Sequence, residues 1–348
     1  MSTADPVPAS SPKLWMGSDM MRQPDIWMRR WSREQLDDLI ATASQLGPAD
    51  LVQLDADSVA PDSIRALATD IRSDLIDRHG FTLIRGFPVD RLDRSTVAAA
   101  FMVLGGLIGR PRSQNAAGHL LGHVRDTGAD LADASTRIYQ TNERQSFHTD
   151  STDAVALLCL QTARTGGLSQ LASAETVYRI VRERRPDLAV RLFDPIATDR
   201  RDEQPEGQLP WFEIPVLSWH RGQLTVLYQR NYIRSAARFG EAPQPAPEHV
   251  EALDLFDAVV NEPDVHLGME LAVGDMQFVY NHSLLHDRTS FQDDPDPASR
   301  RHLLRLWLSL PGDRELPPVF LQRYGSIEVG NRGGIVVAGT EPCVQLEA

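Results

Sequence analysis

The chain has 348 residues, 42% of them hydrophobic, and a formal net charge of −13, so it can bury a sizeable core without disulfides or a structural metal. The acidic balance argues against nucleic-acid partners and anionic membranes, and Cys159 and Cys343, outside any CxxC motif, argue against a disulfide framework or structural zinc site. Because no apolar run is long enough to span a bilayer and the first residues do not resemble a secretory signal, we expect a cytoplasmic protein.

The first third of the chain predicts helices around a strand. Residues 1–12 are rich in Pro, Ser and Ala and are predicted to be disordered, and residues 13–348 are expected to form a single domain. Ser32 and Gln35 have the spacing of a capping box, which marks the start of a helix. The elements expected here are helices over 31–46, 62–80 and 94–109 and a strand over 81–87.

After about residue 136 the pattern becomes that of a sheet protein. Two further helices are predicted in AETVYRIVRER and PEHVEALDLFDAVVNE, and the region of about 190–250 is expected to hold inserted loops. Many strands with flanking helices favour an α+β protein with a mainly β core, a sandwich or barrel of the jelly-roll type. The strand-like segments are TRIYQTN, VALLCLQTA, EIPVLSWH, LTVLYQRNYI, MELAVGDMQFVYN and RHLLRLWLSL.

A His-x-Asp pair, His148 and Asp150, follows the first of these segments. In a strand, side chains two residues apart share a face, about 6.6 Å apart, so the pair either ends a solvated strand or supplies two metal ligands. His282 and His286 in VYNHSLLHDRTSF are the candidates for a third ligand. The HLLGH segment (119–123) has a spacing suited to zinc on a helix, but it lacks the glutamate of HExxH and contains a glycine, so we interpret it as structural.

The segment RRHLLRLWLSL alternates like a strand and places Arg301 and Arg305 on one face, about 13 Å apart. Buried arginines are costly unless they meet an anion. Either these two face solvent or pair with the acids of the preceding DDPD loop, or they line a pocket that holds a carboxylate. Leu303 and Trp307 share their face, whereas His302, Leu304, Leu306 and Leu308 form the opposite one.

Taken together, these segments resemble the taurine dioxygenase and clavaminate synthase-like family of Fe(II)- and 2-oxoglutarate-dependent oxygenases. The residues that carry the resemblance are FHTD (147–150), TGGLS (165–169), HDRTSF (286–291) and RRHLLRLWL (300–308). Their order and spacing match the family over most of the chain after about residue 78. The resemblance implies a double-stranded β-helix, the cupin-like jelly roll, flanked by helices.

The resemblance also implies the site residues. His148, Asp150 and His286 would be the catalytic Fe(II) ligands, and His286 is preferred to His282 because it lies in the H-x-R-[ST]-x-F context. Arg301 would bind the distal carboxylate of 2-oxoglutarate. Ser169 occupies the place where threonine is common and would bind the same carboxylate, Arg305 would lie near the cosubstrate or an anionic group of the substrate, and Asp287 replaces a common glycine.

The activity so implied is a dioxygenase that uses Fe(II), 2-oxoglutarate and O2. It would hydroxylate or desaturate an unactivated C–H bond of a small carboxylate- or otherwise anion-bearing metabolite, with release of succinate and CO2. The oxygen ligand from Asp150 fills the position that a halide would need, which disfavours halogenation. Gln140, Asn142 and Arg144, on the strand face of His148, are expected to bind substrate with Arg305, or else to be a satisfied strand interior.

Two other functions are compatible with these residues. A zinc hydrolase would use the same histidines, but no glutamate base lies nearby in the sequence and the arginine strand would have no role. An inactive jelly-roll ligand-binding protein would not need an intact set of three metal ligands. The sequence leaves open the substrate, the choice between hydroxylation and desaturation, the pathway and whether the chain forms a homo-oligomer.

Overall fold

The computed structural model describes residue 8 and residues 10–130, 136–204 and 207–347. Most of the segment 1–12, predicted to be disordered, lies outside these residues. The α-helices are α1 Gly17–Arg22, α2 Arg33–Ala43, α3 Ala56–Val59, α4 Asp62–Ile76, α5 Arg94–Ile108, α6 Ala174–Arg184, α7 Pro186–Ala189, α8 Arg230–Ser235, α9 Pro247–Val260 and α10 Leu321–Tyr324. Short 3-10 helices occupy Pro24–Ile26, Val89–Arg91, Ile138–Gln140, Val190–Phe193, Ala236–Arg238, Pro297–Ser299 and Pro318–Phe320.

The strands form two main sheets and three short pairings. They are β1 Met28–Arg30, β2 Phe81–Arg85, β3 Arg110–Arg112, β4 His119–Val124, β5 Gln145–His148, β6 Ala154–Gln161, β7 Thr165–Gly166, β8 Ser169–Ser173, β9 Pro195–Asp199, β10 Trp211–Pro215, β11 Leu217–His220, β12 Gln223–Val226, β13 His266–Met269, β14 Met276–Tyr280, β15 Leu284–Arg288, β16 Phe291–Gln292, β17 His302–Ser309 and β18 Cys343–Val344.

The larger sheet has the order β1-β2-β14-β6-β17-β4-β18, with β3 paired to β17. Its outer face packs on α2, α4 and α5 in one apolar cluster. Leu304 and Leu306 of β17 belong to this cluster, as the alternation of the segment predicted. The approach of α5 is close, because a Cβ on Gly105 would lie 2.4 Å from the side chain of Leu306.

The smaller sheet has the order β13-β8-β15-β5. A second apolar cluster joins Phe147 and Leu285 of this sheet to α6 and α9. A third cluster lies between the sheets and includes Leu171 of the smaller sheet and Val279 and Trp307 of the larger one. Two β-sheets therefore face each other between layers of helices, which is the α+β jelly-roll arrangement predicted from the sequence.

Most of the predicted elements are present, and the capping box of Ser32 and Gln35 starts α2 as expected. The strand predicted in TRIYQTN is wrong, because the 3-10 helix Ile138–Gln140 occupies it. The strand predicted in LTVLYQRNYI ends at Val226, and its second half begins α8. The HLLGH segment is strand β4, so the spacing of its two histidines is not a helical one.

The region of about 190–250, expected to hold inserted loops, contains regular structure in its described residues. Strands β9 and β10 form one antiparallel pair, β11 and β12 form another, and α8 packs on β9. The short polar connections between these strands had the appearance of continuous loops in the sequence. In the described part of the chain, no helix is long and apolar enough to cross a membrane.

Candidate active site

Strands β5 and β15 of the smaller sheet are neighbours, and they bring two histidines side by side. His286 pairs directly with His148 in the strand register, and the centroids of the two rings are 4.1 Å apart. Asp150 lies just beyond the end of β5. One ligand atom from each of His148, Asp150 and His286 can be chosen so that all three lie within 4.8 Å of one another.

Hydrogen bonds fix the orientation of two of these side chains. Nδ1 of His148 donates to the carbonyl oxygen of Ser146 at 2.8 Å, which leaves the lone pair of Nε2 pointing to the site, 3.9 Å from Oδ1 of Asp150. The indole N–H of Trp307 donates to Oδ2 of Asp150 at 2.8 Å. Nε2 of His286 lies 3.9 Å from the same Oδ2.

The charges of the three groups suit a divalent cation. Burial lowers the pKa of His286 to about 3, and the neighbouring His148 adds to this effect. Burial also lowers the pKa of His148. Burial raises the pKa of the Asp150 carboxyl, but Arg305 and the two imidazoles outweigh it, so that this pKa lies below its ordinary value. At neutral pH the site therefore offers two neutral imidazoles and one carboxylate, a donor set that suits ferrous iron.

A pocket of about 580 Å³ adjoins the three side chains. Arg301 and Ser169 both line it. Arg301 is only 5% exposed, and its Nη1 has no hydrogen-bond partner in the described structure. Burial lowers the pKa of its guanidinium to about 10. Such an unpaired buried guanidinium fits a carboxylate ligand better than a dry cavity.

In the TGGLS turn, the backbone passes close to the side chain of Arg301. Gly166 and Gly167 both have positive φ, at 76° and 72°. A Cβ on Gly167 would lie 3.1 Å from Nε of Arg301, and one on Gly166 would lie 2.3 Å from the carbonyl oxygen of Ser290. Glycine is therefore favoured at both positions by conformation, and it is required by space at Gly166.

Arg305 lies in the same pocket, closer to the carboxylate of Asp150. Its Nε donates to Oε1 of Gln114 at 2.7 Å, and its Nη1 lies 3.8 Å from Oδ2 of Asp150. The guanidinium stacks on the ring of Tyr139, with 4.6 Å to the centroid. Arg301 and Arg305 are thus both buried, and the alternative that they face solvent is wrong.

Of the four residues expected to bind substrate, Arg305 lines this pocket, and Gln140, Asn142 and Arg144 do not. Arg144 points away and binds Asp287, with 2.8 Å from Nε to Oδ2, and it also donates to Asn261. Asn142 is exposed, and Oε1 of Gln140 accepts from the backbone N–H of Arg137. The prediction of a common face is wrong, because the 3-10 helix interrupts the strand before β5 begins.

A β-bulge explains which residues take their place. Between the pairs His286–His148 and Arg288–Gln145, β5 has one residue more than β15, so the alternation of faces shifts by one. Gln145 therefore faces the site, and its Nε2 lies 2.8 Å from Nε2 of His148. Tyr139, Gln145 and Arg288 line the pocket and were not predicted. Only Arg288 had a signal, its place in the H-x-R-[ST]-x-F motif.

His282, the other candidate for the third ligand, lies in a separate buried cluster. Its Nε2 is 2.8 Å from Oδ1 of Asp153, and Arg332 bridges Asp153 and Asp313 with bonds of 2.7 and 2.8 Å. Asp153, His282 and Asp313 are close enough to hold a metal. The guanidinium of Arg332 already supplies the cation there, so we interpret the cluster as structural.

Two imidazoles and one carboxylate lie between the sheets of a jelly roll, beside a buried arginine. This arrangement is typical of the mononuclear iron oxygenases that use a keto-acid cosubstrate. The model of the family "Taurine catabolism dioxygenase TauD, TfdA family" matches residues 42–307, and the chain belongs to this family. The resemblance seen in the sequence is confirmed. The protein is an Fe(II)- and 2-oxoglutarate-dependent dioxygenase that uses O2, and neither a zinc hydrolase nor an inactive scaffold is favoured.

Individual relatives agree with this family. FR-33289 synthase of Streptomyces rubellomurinus is 31% identical over 326 residues, which cover 86% of this chain and 94% of that protein. The crystal structure of the non-heme iron oxygenase OrfP with Fe and alpha-ketoglutaric acid is similar, with TM-score 0.59, 18% identity and coverage of 81% and 93%. Asparagine oxygenase with Fe(II), 3-hydroxyasparagine and succinate gives TM-score 0.60, 17% identity and the same coverages. These likenesses confirm the jelly-roll fold.

Proposed function

We propose that His148, Asp150 and His286 bind Fe(II), and that Arg301 and Ser169 bind the distal carboxylate of 2-oxoglutarate. The observation that carries this proposal is the convergence of one atom from each of the three ligands within 4.8 Å. The unpaired Nη1 of Arg301 supports the second part. Arg305 is assigned to the same pocket, next to the metal carboxylate.

When bound, Fe(II) with 2-oxoglutarate and O2 supplies the oxidation of an unactivated C–H bond, with release of succinate and CO2. The chain orients and encloses these reactants. The N–H of Trp307 and the charge of Arg305 hold the Asp150 carboxylate in one orientation and keep it ionised. The carbonyl of Ser146 selects the tautomer of His148 that can bind a metal. Apolar walls that include Val155, Leu157 and Val279 limit the access of water.

The charge balance of the pocket supports an anionic substrate. Arg288, Arg301 and Arg305 line it, against the carboxylates of Asp150 and Asp287. Fe(II) has a charge of +2 and 2-oxoglutarate a charge of −2. When both bind, the pocket therefore keeps its excess of one positive charge. A carboxylate or another acidic group on the substrate would offset this excess. Asparagine oxygenase, a structural relative, binds the amino acid 3-hydroxyasparagine. An amino acid would meet this requirement only with an acidic side chain, because its α-ammonium and α-carboxylate charges cancel.

A neighbouring cavity of about 840 Å³ is the assigned substrate chamber. It shares His148 and Gln145 with the first pocket, so a substrate in it would lie beside the metal without displacing the cosubstrate. Gln229, Asn231 and Tyr232 provide polar groups along its wall. We further infer a cytoplasmic enzyme of small metabolites, with no nucleic-acid or membrane partner.

Two experiments test these assignments. Anaerobic addition of 2-oxoglutarate to the Fe(II)-loaded protein should give the weak visible charge-transfer band of a chelated ferrous centre, and absence of the band would contradict the ligand assignment. A metabolite panel read by succinate release should then find substrates among carboxylates and other anions. Each active acid is compared with its neutral methyl ester or amide. Equal turnover of acid and neutral analogue would exclude the proposed substrate class.

A further inference from the structure

The segment that carries two of the proposed iron ligands is held by residues from outside its own sheet. Thr149, between His148 and Asp150, is fully buried. Its backbone N–H donates to the carbonyl oxygen of Tyr228 at 2.9 Å, and its Oγ1 accepts from the backbone N–H of Tyr228 at 3.0 Å. Nε2 of Gln229 donates to the carbonyl oxygen of Thr149 at 2.9 Å. The two residues before α8 therefore fix the residue that joins the two ligands.

The amide of Gln229 has one orientation that satisfies this contact. A carbonyl oxygen accepts and cannot donate, so the NH2 group of the amide faces Thr149, and Oε1 faces away from it. Within the described residues, Oε1 makes no hydrogen bond, and it is not among the unpaired side-chain atoms that are closed to solvent. Gln229 also lines the substrate chamber. Its oxygen is therefore an acceptor that is open to a ligand in the chamber.

The chamber lies next to the proposed metal site, because His148 lines both the chamber and the pocket assigned to the cosubstrate. Through its own NH2 group, the acceptor of Gln229 is tied to the segment that carries the ligands. A substrate group that donates to this acceptor would therefore be held at a constant distance from the metal. An analogue without the donor would displace water and leave the acceptor unpaired, which a site built for a hydrogen bond penalises strongly.

We infer that Gln229 positions the substrate against the metal site, with its NH2 group on Thr149 and its Oε1 as the acceptor for an N–H or O–H group of the substrate. This inference rests on the proposed function, in which the chamber holds the substrate of an Fe(II)-dependent dioxygenase. It narrows the substrate class to acids that also carry a hydrogen-bond donor, such as hydroxy acids and acidic amino acids.

The test measures the binding of acids to the anaerobic Fe(II)–2-oxoglutarate complex, through the change that they cause in the charge-transfer band. The probes are acids of the succinate-release panel, among them L-malate and L-aspartate. Each is paired with the analogue in which the donor is blocked at unchanged charge, by O-methylation or by trimethylation of the ammonium group. The variant is Gln229→Met, which removes donor and acceptor at a similar side-chain length. The control is Gln223→Met, the same replacement at an exposed position of β12.

Fe(II) affinity provides a second measurement that needs no substrate. Gln229→Met removes an outer-shell partner of the segment that carries two ligands, so it should weaken Fe(II) binding about 10-fold in competition with a chelator. Gln223→Met should leave this affinity unchanged. A further variant, Gln229→Glu, keeps an acceptor at the same position but cannot donate to the Thr149 carbonyl when ionised. It should therefore keep the preference for acids that carry a donor.

We expect the wild-type complex to bind each donor-bearing acid about 10- to 100-fold more tightly than its methylated analogue. This ratio should fall to within about threefold of one in Gln229→Met and stay near the wild-type value in Gln223→Met and Gln229→Glu. An unchanged ratio in Gln229→Met would overturn the inference, and so would an unchanged Fe(II) affinity or an acid without a donor that binds as tightly as the others. A wild-type protein without any charge-transfer band would contradict the proposed function itself.

Discussion

His286 on β15 pairs directly with His148 on β5, with 4.1 Å between the ring centroids, although the two residues are separated by most of the β-rich half of the chain. The pairing depends on the antiparallel register of the smaller sheet, which also places Arg288 opposite Gln145. The proposed metal site would therefore take its two histidines from paired strands, and Asp150 from the segment that follows β5. Side chains on paired strands are held more precisely than side chains on loops.

Replacement of His286 should abolish iron binding. We expect His286→Ala to weaken Fe(II) binding at least about 100-fold, because removal of a ligand costs more than the loss of an outer-shell partner. The control is His119→Ala, since His119 on β4 belongs to the HLLGH segment and lies outside the site. Fe(II) affinity is measured by competition with a chelator. Equal losses in both variants would show that the ion is not bound at the pair of histidines.

Arg301 should matter for the cosubstrate and not for the metal. We expect Arg301→Gln to weaken 2-oxoglutarate binding about 100-fold, from the loss of a buried charge-assisted pair, and to leave Fe(II) affinity within about twofold. Both are measured by anaerobic titration, the first through the charge-transfer band. Arg33→Gln, a change at a side chain that is 96% exposed, is the control. Parallel loss of metal and cosubstrate binding would mean that Arg301 has another role.

The sequence predicted the positions of side chains correctly where a pattern is compatible with only one structure. The alternation of RRHLLRLWLSL placed Leu304 and Leu306 on the helix-covered face and the arginines on the other, because one slip of register would bury charge in the core. The capping box that starts α2 is equally local.

The sequence failed where tertiary structure overrides local pattern. If the strand before His148 were regular, every second residue would share its face, and Arg144 would lie in the site. A bulge in β5 instead shifts the residues to the other face, and the 3-10 helix ends the strand. A bulge is set by the partner strand, so the sequence of β5 alone cannot reveal it. The same holds for His282, whose partners Asp153 and Arg332 come from distant parts of the chain.

Arg144 should contribute to stability through Asp287. The Asp287 side chain is fully buried, Arg144 is its ion-pair partner, and its Oδ1 has no hydrogen bond in the described structure. Removal of Arg144 leaves a buried carboxylate unpaired, so we expect Arg144→Ala to lower the free energy of unfolding by about 2 kcal/mol, less than a fully buried pair because Arg144 is 43% exposed. Urea unfolding measures this loss. The double variant Arg144→Ala/Asp287→Asn should recover most of the loss, and failure to do so would contradict the pairing argument.

The pair of His123 and His302, with 2.8 Å between Nδ1 of the first and Nε2 of the second, should make the protein sensitive to acid. The pKa of His302 is about 3 in the folded protein against 6.5 for an unperturbed side chain, so between these values the unfolded state binds more protons. Stability should therefore fall as the pH decreases below about 6.5. We expect the free energy of unfolding of His123→Leu/His302→Leu, measured by urea unfolding, to decrease less between about pH 6.5 and pH 4 than that of the wild-type protein. A steeper loss in the double variant would contradict the neutral assignment of the pair.

Arg332 should hold the second buried cluster together without affecting the iron site. It is fully buried and bridges Asp153 and Asp313, and Asp153 also accepts from His282. Its loss leaves two buried carboxylates without their cation, so we expect Arg332→Met to lower the free energy of unfolding by about 4 kcal/mol. Denaturant unfolding measures this loss, and chelator competition should show unchanged Fe(II) affinity in the fraction that folds. The triple variant Arg332→Met/Asp153→Asn/Asp313→Asn removes the charges together and should be more stable than Arg332→Met alone. A loss of Fe(II) affinity at unchanged stability would instead place this cluster in the metal site.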